Sequence, residues 1–280
     1  MASAGQEASL FAVVFCLMVV AGNACLSLHG DAPATANFTQ LAEVGGQVTA
    51  NFTDLTAAAG LPATLDWRAR GAVTTPKQQE KLGSCWAFAA VAAIEGLQQI
   101  RTGKLVTLSA QQLVDCAPET KTHRSPRNAF EWVHENGGIT SDADYPYTGE
   151  AGKCVKSKLK HYSAQITGFR RTDNASELAL MAALQKQPVA VSMALAGPFF
   201  TKYKAGTIYE GPCVQENNHA MTVVGYGQSK KGKLYWIVKN SFGPKWGNGG
   251  YVLVKRGVDS NNGGLCGIAR RAIYPTMAAN

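Results

Sequence analysis

Cys85 follows a Gly83-Ser84 turn and opens an apolar, Ala-rich run that continues to Ile100. Ala87, Phe88, Val91, Ala92, Ile94, Leu97 and Ile100 recur there with few breakers, so the spacing predicts a buried helix. A thiol at a helix start faces unpaired backbone N–H groups and the positive end of the helix dipole. Both favour the thiolate, which is the nucleophilic form. Placement alone therefore makes Cys85 a candidate catalytic cysteine. A nucleophile needs a base, and His219 lies 134 residues further on, in Asn217-Asn218-His219-Ala220-Met221. Asn240 closes the apolar run Leu234-Tyr235-Trp236-Ile237-Val238-Lys239. His219 can take the thiol proton, and the Asn240 side-chain oxygen can hold the imidazole in one tautomer and orientation. The chemistry of such a set is attack on a carbonyl carbon through a covalent intermediate.

These residues need elements to hold them. Residues 61 to about 170 read mainly helical, with helices expected over 85–101, near 109–116 and over 128–136, the last stopped by Gly137-Gly138. From about 171 onward the pattern turns to strands: 189–193, 220–224, 235–238 and 251–255. Helices followed by strands indicate an α+β fold in two lobes, about 61–170 and 171–280. Cys85 falls in the first lobe and His219 and Asn240 in the second, so the site is expected in the cleft between them.

Composition sets the compartment. The chain has 280 residues, 46% hydrophobic, enough to bury a substantial core. Leu10 to Ala21 is an unbroken apolar run too short to span a bilayer, and Gly22-Asn23-Ala24 offers small residues for cleavage. Residues 1–24 therefore read as a secretory signal peptide, although the segment before the run carries no Lys or Arg. Seven cysteines are present. With Cys16, Cys25 and Cys85 set aside, Cys116, Cys154, Cys213 and Cys266 remain, and an even number in an oxidising compartment argues for two disulfides in one of three pairings. Asn37, Asn51 and Asn174 head Asn-x-Ser/Thr triplets, which fit glycosylation on the same route. No Lys or Arg precedes Arg68, so residues 66–280 carry a net charge of +12. Those basic residues are scattered and no nucleic-acid motif accompanies them, which leaves a solvated, basic surface attracted to acidic walls or proteins. A zinc site is excluded by the lack of any Cys-x-x-Cys or His-x-x-x-His pair.

Several motifs occur together. They are Leu65-Asp66-Trp67-Arg68 with Gly71-Ala72-Val73, the Cys85 segment, Leu108-Ser109-Ala110-Gln111-Gln112-Leu113-Val114-Asp115-Cys116, Asp144-Tyr145-Pro146-Tyr147, the His219 and Asn240 segments, and Leu265-Cys266-Gly267-Ile268-Ala269. In this order they resemble the papain family of cysteine peptidases, of the plant type, over residues 61–280, and the Cys-to-His interval fits. The resemblance implies a papain-like two-lobe fold, with a helical N-terminal lobe and a β-barrel-like C-terminal lobe. It implies a thiol endopeptidase that needs no cofactor. Its partners would be polypeptide substrates and cystatin-like protein inhibitors, with neither nucleic acid nor membrane once the signal is cleaved, and it would act as a monomer. Gln79 would supply the side-chain donor of an oxyanion hole with the Cys85 N–H. Cys116 would pair with Cys154 and Cys213 with Cys266. Ser192 and Ala220 would wall the main side-chain pocket with Arg271 at its far end, and Trp246 would line the other side of the cleft. Arg271 would either swing out to solvent with its stem lining the pocket, or face inward and favour an acidic substrate side chain. Residues 25–60 resemble a truncated inhibitory pro-segment, with Asn51-Phe52-Thr53-Asp54-Leu55-Thr56 as its remaining motif. A zymogen of the secretory pathway, extracellular or vacuolar/lysosomal, follows from the same likeness.

The chain also departs from that family. Leu82 stands where a cysteine is usual, and its partner's glycine-rich segment is replaced by the Lys/Arg/Pro-bearing stretch 117–127. One staple is lost there, and the cleft wall is altered. Glu80 replaces a glycine, which costs about 1 kcal/mol if the position needs positive φ. Phe242 replaces a tryptophan that shields the Asn–His hydrogen bond. These changes motivate an alternative, a degenerate non-catalytic relative acting as a binding or storage protein. An amidase or transpeptidase with the same Cys–His chemistry is the lesser rival.

Overall fold

A computed structural model of the chain describes residues 55–57, 59–117, 124–258 and 263–278. The signal segment, almost all of 25–60, Asn37, Asn51 and positions 118–123 of the altered stretch lie outside the described residues. Three helices form where the helical reading places them. Helix α1 runs Cys85–Thr102 and ends on Gly103 in the left-handed conformation, where glycine carries no side-chain penalty. Helix α2, Ala110–Cys116, starts behind Ser109, whose side chain accepts from the Gln112 N–H. Helix α3 runs Pro126–Glu135 and begins two residues earlier than its apolar pattern indicates. The reason is local: Ser125 and Asn128 form a reciprocal capping box, and Pro126 occupies the first turn, where a missing N–H costs nothing.

Seven strands make one antiparallel sheet in the order β2-β7-β3-β4-β5-β6, with β1 (Leu65–Asp66) pairing on β4. The others are β2 Gly168–Arg171, β3 Val189–Met193, β4 His219–Gln228, β5 Leu234–Lys239, β6 Tyr251–Lys255 and β7 Ile273–Thr276. The second half is not purely β. Helix α4 spans Glu177–Leu184 and a short α5 spans Gly197–Thr201. The register between β4 and β5 shifts between Val223 and Gly225. A Cβ at Gly225 would lie 2.2 Å from the Leu65 carbonyl oxygen, so only glycine lets β1 approach there. The fold is α+β.

The sheet separates two apolar cores. One gathers Trp86, Phe88, Ile94, Leu113 and Phe130 from the helices against Ala190, Ala220 and Ile273. The other packs Leu180 and Leu184 of α4 against Val191, Met193, Val223 and Trp236. Burying each such aliphatic side chain contributes roughly 1.5–3 kcal/mol. Alternate residues of β3 and β4 face opposite cores, as a period of two requires. Where the halves meet, Thr222 on β4 donates its hydroxyl to the Ala89 carbonyl of α1 at 3.0 Å. Among the described residues Cys116–Cys154 and Cys213–Cys266 are the two disulfides, so the pairing implied by resemblance holds.

Glu177 is fully buried at the start of α4. The Trp236 indole donates to its Oε1 at 2.9 Å and the Gly257 N–H donates to its Oε2 at 3.0 Å. Burial outweighs these bonds and the nearby Arg256, and pushes the carboxyl from 4.5 up to about 7. The native state therefore holds a proton that the unfolded chain has already released between those two values. Stability is fully present below about pH 4.5 and declines as pH rises to about 7. The loss is about 3–4 kcal/mol at roughly 1.4 kcal/mol per unit. Urea unfolding across this window should show the decline, and Glu177→Gln should flatten it.

Candidate active site

Cys85 is the first residue of α1, partly exposed, and is the free cysteine among the described residues. Burial pushes its thiol up from 9.0, opposed by the backbone N–H groups of Ala220, Trp86 and Cys85 itself. The amides at the helix start favour the thiolate, and for the thiol taken by itself the loss of water around the sulfur is the larger effect.

His219 opens β4 and Asn240 follows β5, and the register that sets Thr222 opposite Lys239 brings them together. His219 Nε2 meets Asn240 Oδ1 at 2.8 Å. With Nε2 donating, Nδ1 is the nitrogen left to exchange a proton with a thiol. Asn240 is buried, and its Oδ1 also accepts from the Ser241 N–H at 2.8 Å. The Phe242 ring centroid lies 5.0 Å from that of His219, so the phenyl group keeps the apolar cover. Burial pushes His219 down from 6.5, and the bond to Asn240 pulls it partly back.

Gln79 is buried and tied to the same strand end. Its N–H donates to the Ser241 carbonyl at 2.8 Å, and Ser241 Oγ donates to its Oε1 at 2.6 Å. The amide oxygen is thereby held, and the NH₂ end is left to donate elsewhere. Tyr147 completes the set. Its hydroxyl donates to the Gln79 carbonyl at 2.7 Å and lies 2.7 Å from Ser84 Oγ, which in turn donates to it. A run of contacts thus joins Cys85 through Ser84, Tyr147, Gln79, Ser241 and Asn240 to His219. The roles of Tyr147 and Ser241 were not legible from spacing, since their partners lie 63 to 162 residues away. Glu80, beside Gln79, has φ +54°, so the glycine-like position is real and its side chain costs about 1 kcal/mol.

A second link crosses the same seam. Lys239 Nζ lies 3.7 Å from Glu95 Oε2 and donates to Thr74 Oγ1 at 2.7 Å, and Thr74 donates to Glu95 at 2.6 Å. The Leu108 N–H caps the other carboxylate oxygen at 2.9 Å. Burial pushes the Lys239 ammonium down, and Glu95 opposes that shift.

A cleft of about 660 Å³ opens over Cys85 and His219. Ser192, Ala220 and Arg271 line it together, as grouped from the sequence, and so do Leu82 and Arg124-Ser125-Pro126. The altered stretch therefore walls the cleft with an arginine side chain, the Arg124 guanidinium lying 5.5 Å from the Trp86 ring centre. Trp246 is not part of this lining. It packs 5.2 Å from Phe200 and 5.4 Å from Phe242, ring centre to ring centre, with its indole N–H donated to the Thr201 carbonyl. Asn174 is exposed, at φ +52° in the turn Asp173–Ala175.

Residues 61–276 match the family described as "Papain family cysteine protease". Cysteine endopeptidase RepA of Oryza sativa subsp. japonica is 46% identical over 223 residues, covering 78% of this chain and 58% of that protein. KDEL-tailed cysteine endopeptidase CEP2 of Arabidopsis thaliana is 46% identical over 220 residues, covering 77% and 60%. The chain thus spans about three fifths of the length of these curated relatives. The bromelain protease of Ananas comosus, solved with the E64 inhibitor, superposes with a TM-score of 0.73 at 43% identity, over 78% of this chain and 100% of that one.

Proposed function

This chain belongs to the papain family of cysteine proteases, and we propose that it is a thiol endopeptidase hydrolysing polypeptides through an acyl-enzyme on Cys85. The observation that carries this reading is the His219–Asn240 hydrogen bond of 2.8 Å beside a cleft that also holds the Cys85 thiol. Cys85 sulfur bonds to the scissile carbonyl carbon, and the oxyanion is met by the Gln79 amide and the Cys85 N–H. The C–N bond then breaks, and the His219 imidazolium gives its proton to the leaving amine. Water attacks the thioester with His219 as base, which releases the acid and restores the thiolate. The non-catalytic alternative has no observation in its favour.

Burial disfavours a lone thiolate and a lone imidazolium, and the attraction between the two charges in a cleft that holds both side chains offsets that cost. Alkylation of the wild-type thiol is therefore expected to proceed already below pH 6, as a thiolate–imidazolium pair. In His219→Ala the partner charge is gone, and reaction should begin only as pH approaches and passes 9.0. Rate against pH, with Cys85 identified by peptide mass spectrometry, checks both arms. A wild-type profile with a single rise near 9 would remove the ion pair.

The finer substrate reading rests on Arg271, which lines the cleft, is exposed, and has no ion-pair partner among the described residues. Its guanidinium draws an acidic side chain to the pocket walled by Ser192 and Ala220. A peptide library should show acidic residues favoured there, and Arg271→Met should cut that preference about tenfold. Equal preference for large apolar residues in both proteins would show that Arg271 does not select.

Secretory targeting through residues 1–24, a truncated pro-segment at 25–60 and glycans at Asn37, Asn51 and Asn174 belong to the same proposal. Two disulfides and the KDEL-tailed relative support a route through the secretory pathway to an extracellular or vacuolar site.

A further inference from the structure

Outside the cleft, two adjoining hollows of about 590 and 470 Å³ share Arg101, Thr167 and Met277, so they form one continuous groove. Its floor is the outer end of the sheet, where Arg170 on β2 stands opposite Tyr274 on β7. Arg101, Arg170 and Lys186 line it, and no carboxylate side chain does. Arg170 and Lys186 are exposed and make no ion pair among the described residues. By contrast, the exposed Lys233 and Lys255 already share Glu210.

We propose that this groove binds an extended acidic polysaccharide whose sugar rings carry carboxylates. The cations supply the charge complement, and a groove walled by one sign of charge concentrates the opposite one. The rest of the lining fits sugar better than peptide. Gln98 offers an amide, and Gln165, Thr167 and Thr276, though bonded to the Gly137 carbonyl and to each other, keep lone pairs for ring hydroxyls, while Tyr162 and Tyr274 offer aromatic faces to stack on them. Tyr162 is 37% exposed although its hydroxyl is fixed to the Asn136 carbonyl at 2.6 Å, so the ring is held in place at the surface. None of these residues belongs to the peptidase machinery. The groove would therefore anchor the protein to an acidic matrix and leave the cleft open.

The test is titration of the full chain with polygalacturonate oligomers at low and at physiological salt. Saturable binding that weakens with salt is expected. The double variant Arg170→Glu/Lys186→Glu should weaken it about tenfold or more, with peptide hydrolysis unchanged. Lys230→Glu/Lys231→Glu removes the same net charge from residues outside the groove and should alter binding by no more than about twofold. Equal losses in both variants would assign the attraction to overall charge and overturn the groove. Equally tight binding of a poly-glutamate of matched length would overturn the polysaccharide, and so would absence of binding at low salt.

Discussion

Changing Cys85 to alanine should lower kcat/KM on a peptide substrate by about 10⁴-fold or more while leaving a folded protein. The side chain is partly exposed at the cleft and packs only partly against the helical core, so its removal leaves no large cavity. Alanine is also the best helix former for the first turn of α1. What disappears is the covalent path: no other free cysteine exists among the described residues, and water lacks a positioned base if it must attack the amide directly. His219→Ala should fall to a similar level, and the double variant should be no worse than either single one. Groups that act as one unit cannot be lost twice. Steady-state kinetics alongside urea unfolding midpoints checks this. Activity of Cys85→Ala within tenfold of wild type would place the nucleophile elsewhere.

Lys239→Met should cost about 3–5 kcal/mol of stability, since it removes one partner of a buried ion pair. Glu95 is 2% exposed and its carboxylate would keep the Thr74 hydroxyl and Leu108 N–H but lose its ion-pair partner. The carboxylate then faces burial uncompensated or must take up a proton. Adding Glu95→Gln to Lys239→Met should recover most of the loss, because a neutral amide tolerates the site far better. Urea denaturation of the two single variants and the double one decides it. Additive losses in the double would mean that the two side chains stabilise the fold independently.

Cys85 and His219 could be singled out from local order, because a cysteine at a helix start and a histidine at a strand start are short-range patterns. The same holds for α1 to α3 and for β3 to β6, whose periods and breakers lie within a few residues. Helix α4 was not legible, since Glu177–Leu184 is apolar on nearly every side and shows no stripe with a period of 3.6. Strands β1, β2 and β7 have two to four residues each and exist only through their partners. The direction of the Cys85 shift needed the burial that only packing sets.

The hydrogen-bonded run from Ser84 through Tyr147, Gln79 and Ser241 to Asn240 has a consequence for how the protein degrades under mutation. Cys85 and His219 sit on separate structural halves, and their mutual aim is inherited in part from Tyr147 and Ser241, which belong to neither the proposed nucleophile–base pair nor the oxyanion site. Misalignment therefore accumulates along the run, and a shift at any link is passed to the imidazole without opening a core. Random variants of this chain will include a distinct class that is soluble, fully folded and slow, concentrated at Tyr147 and Ser241. Screening for expression alone will retain them all.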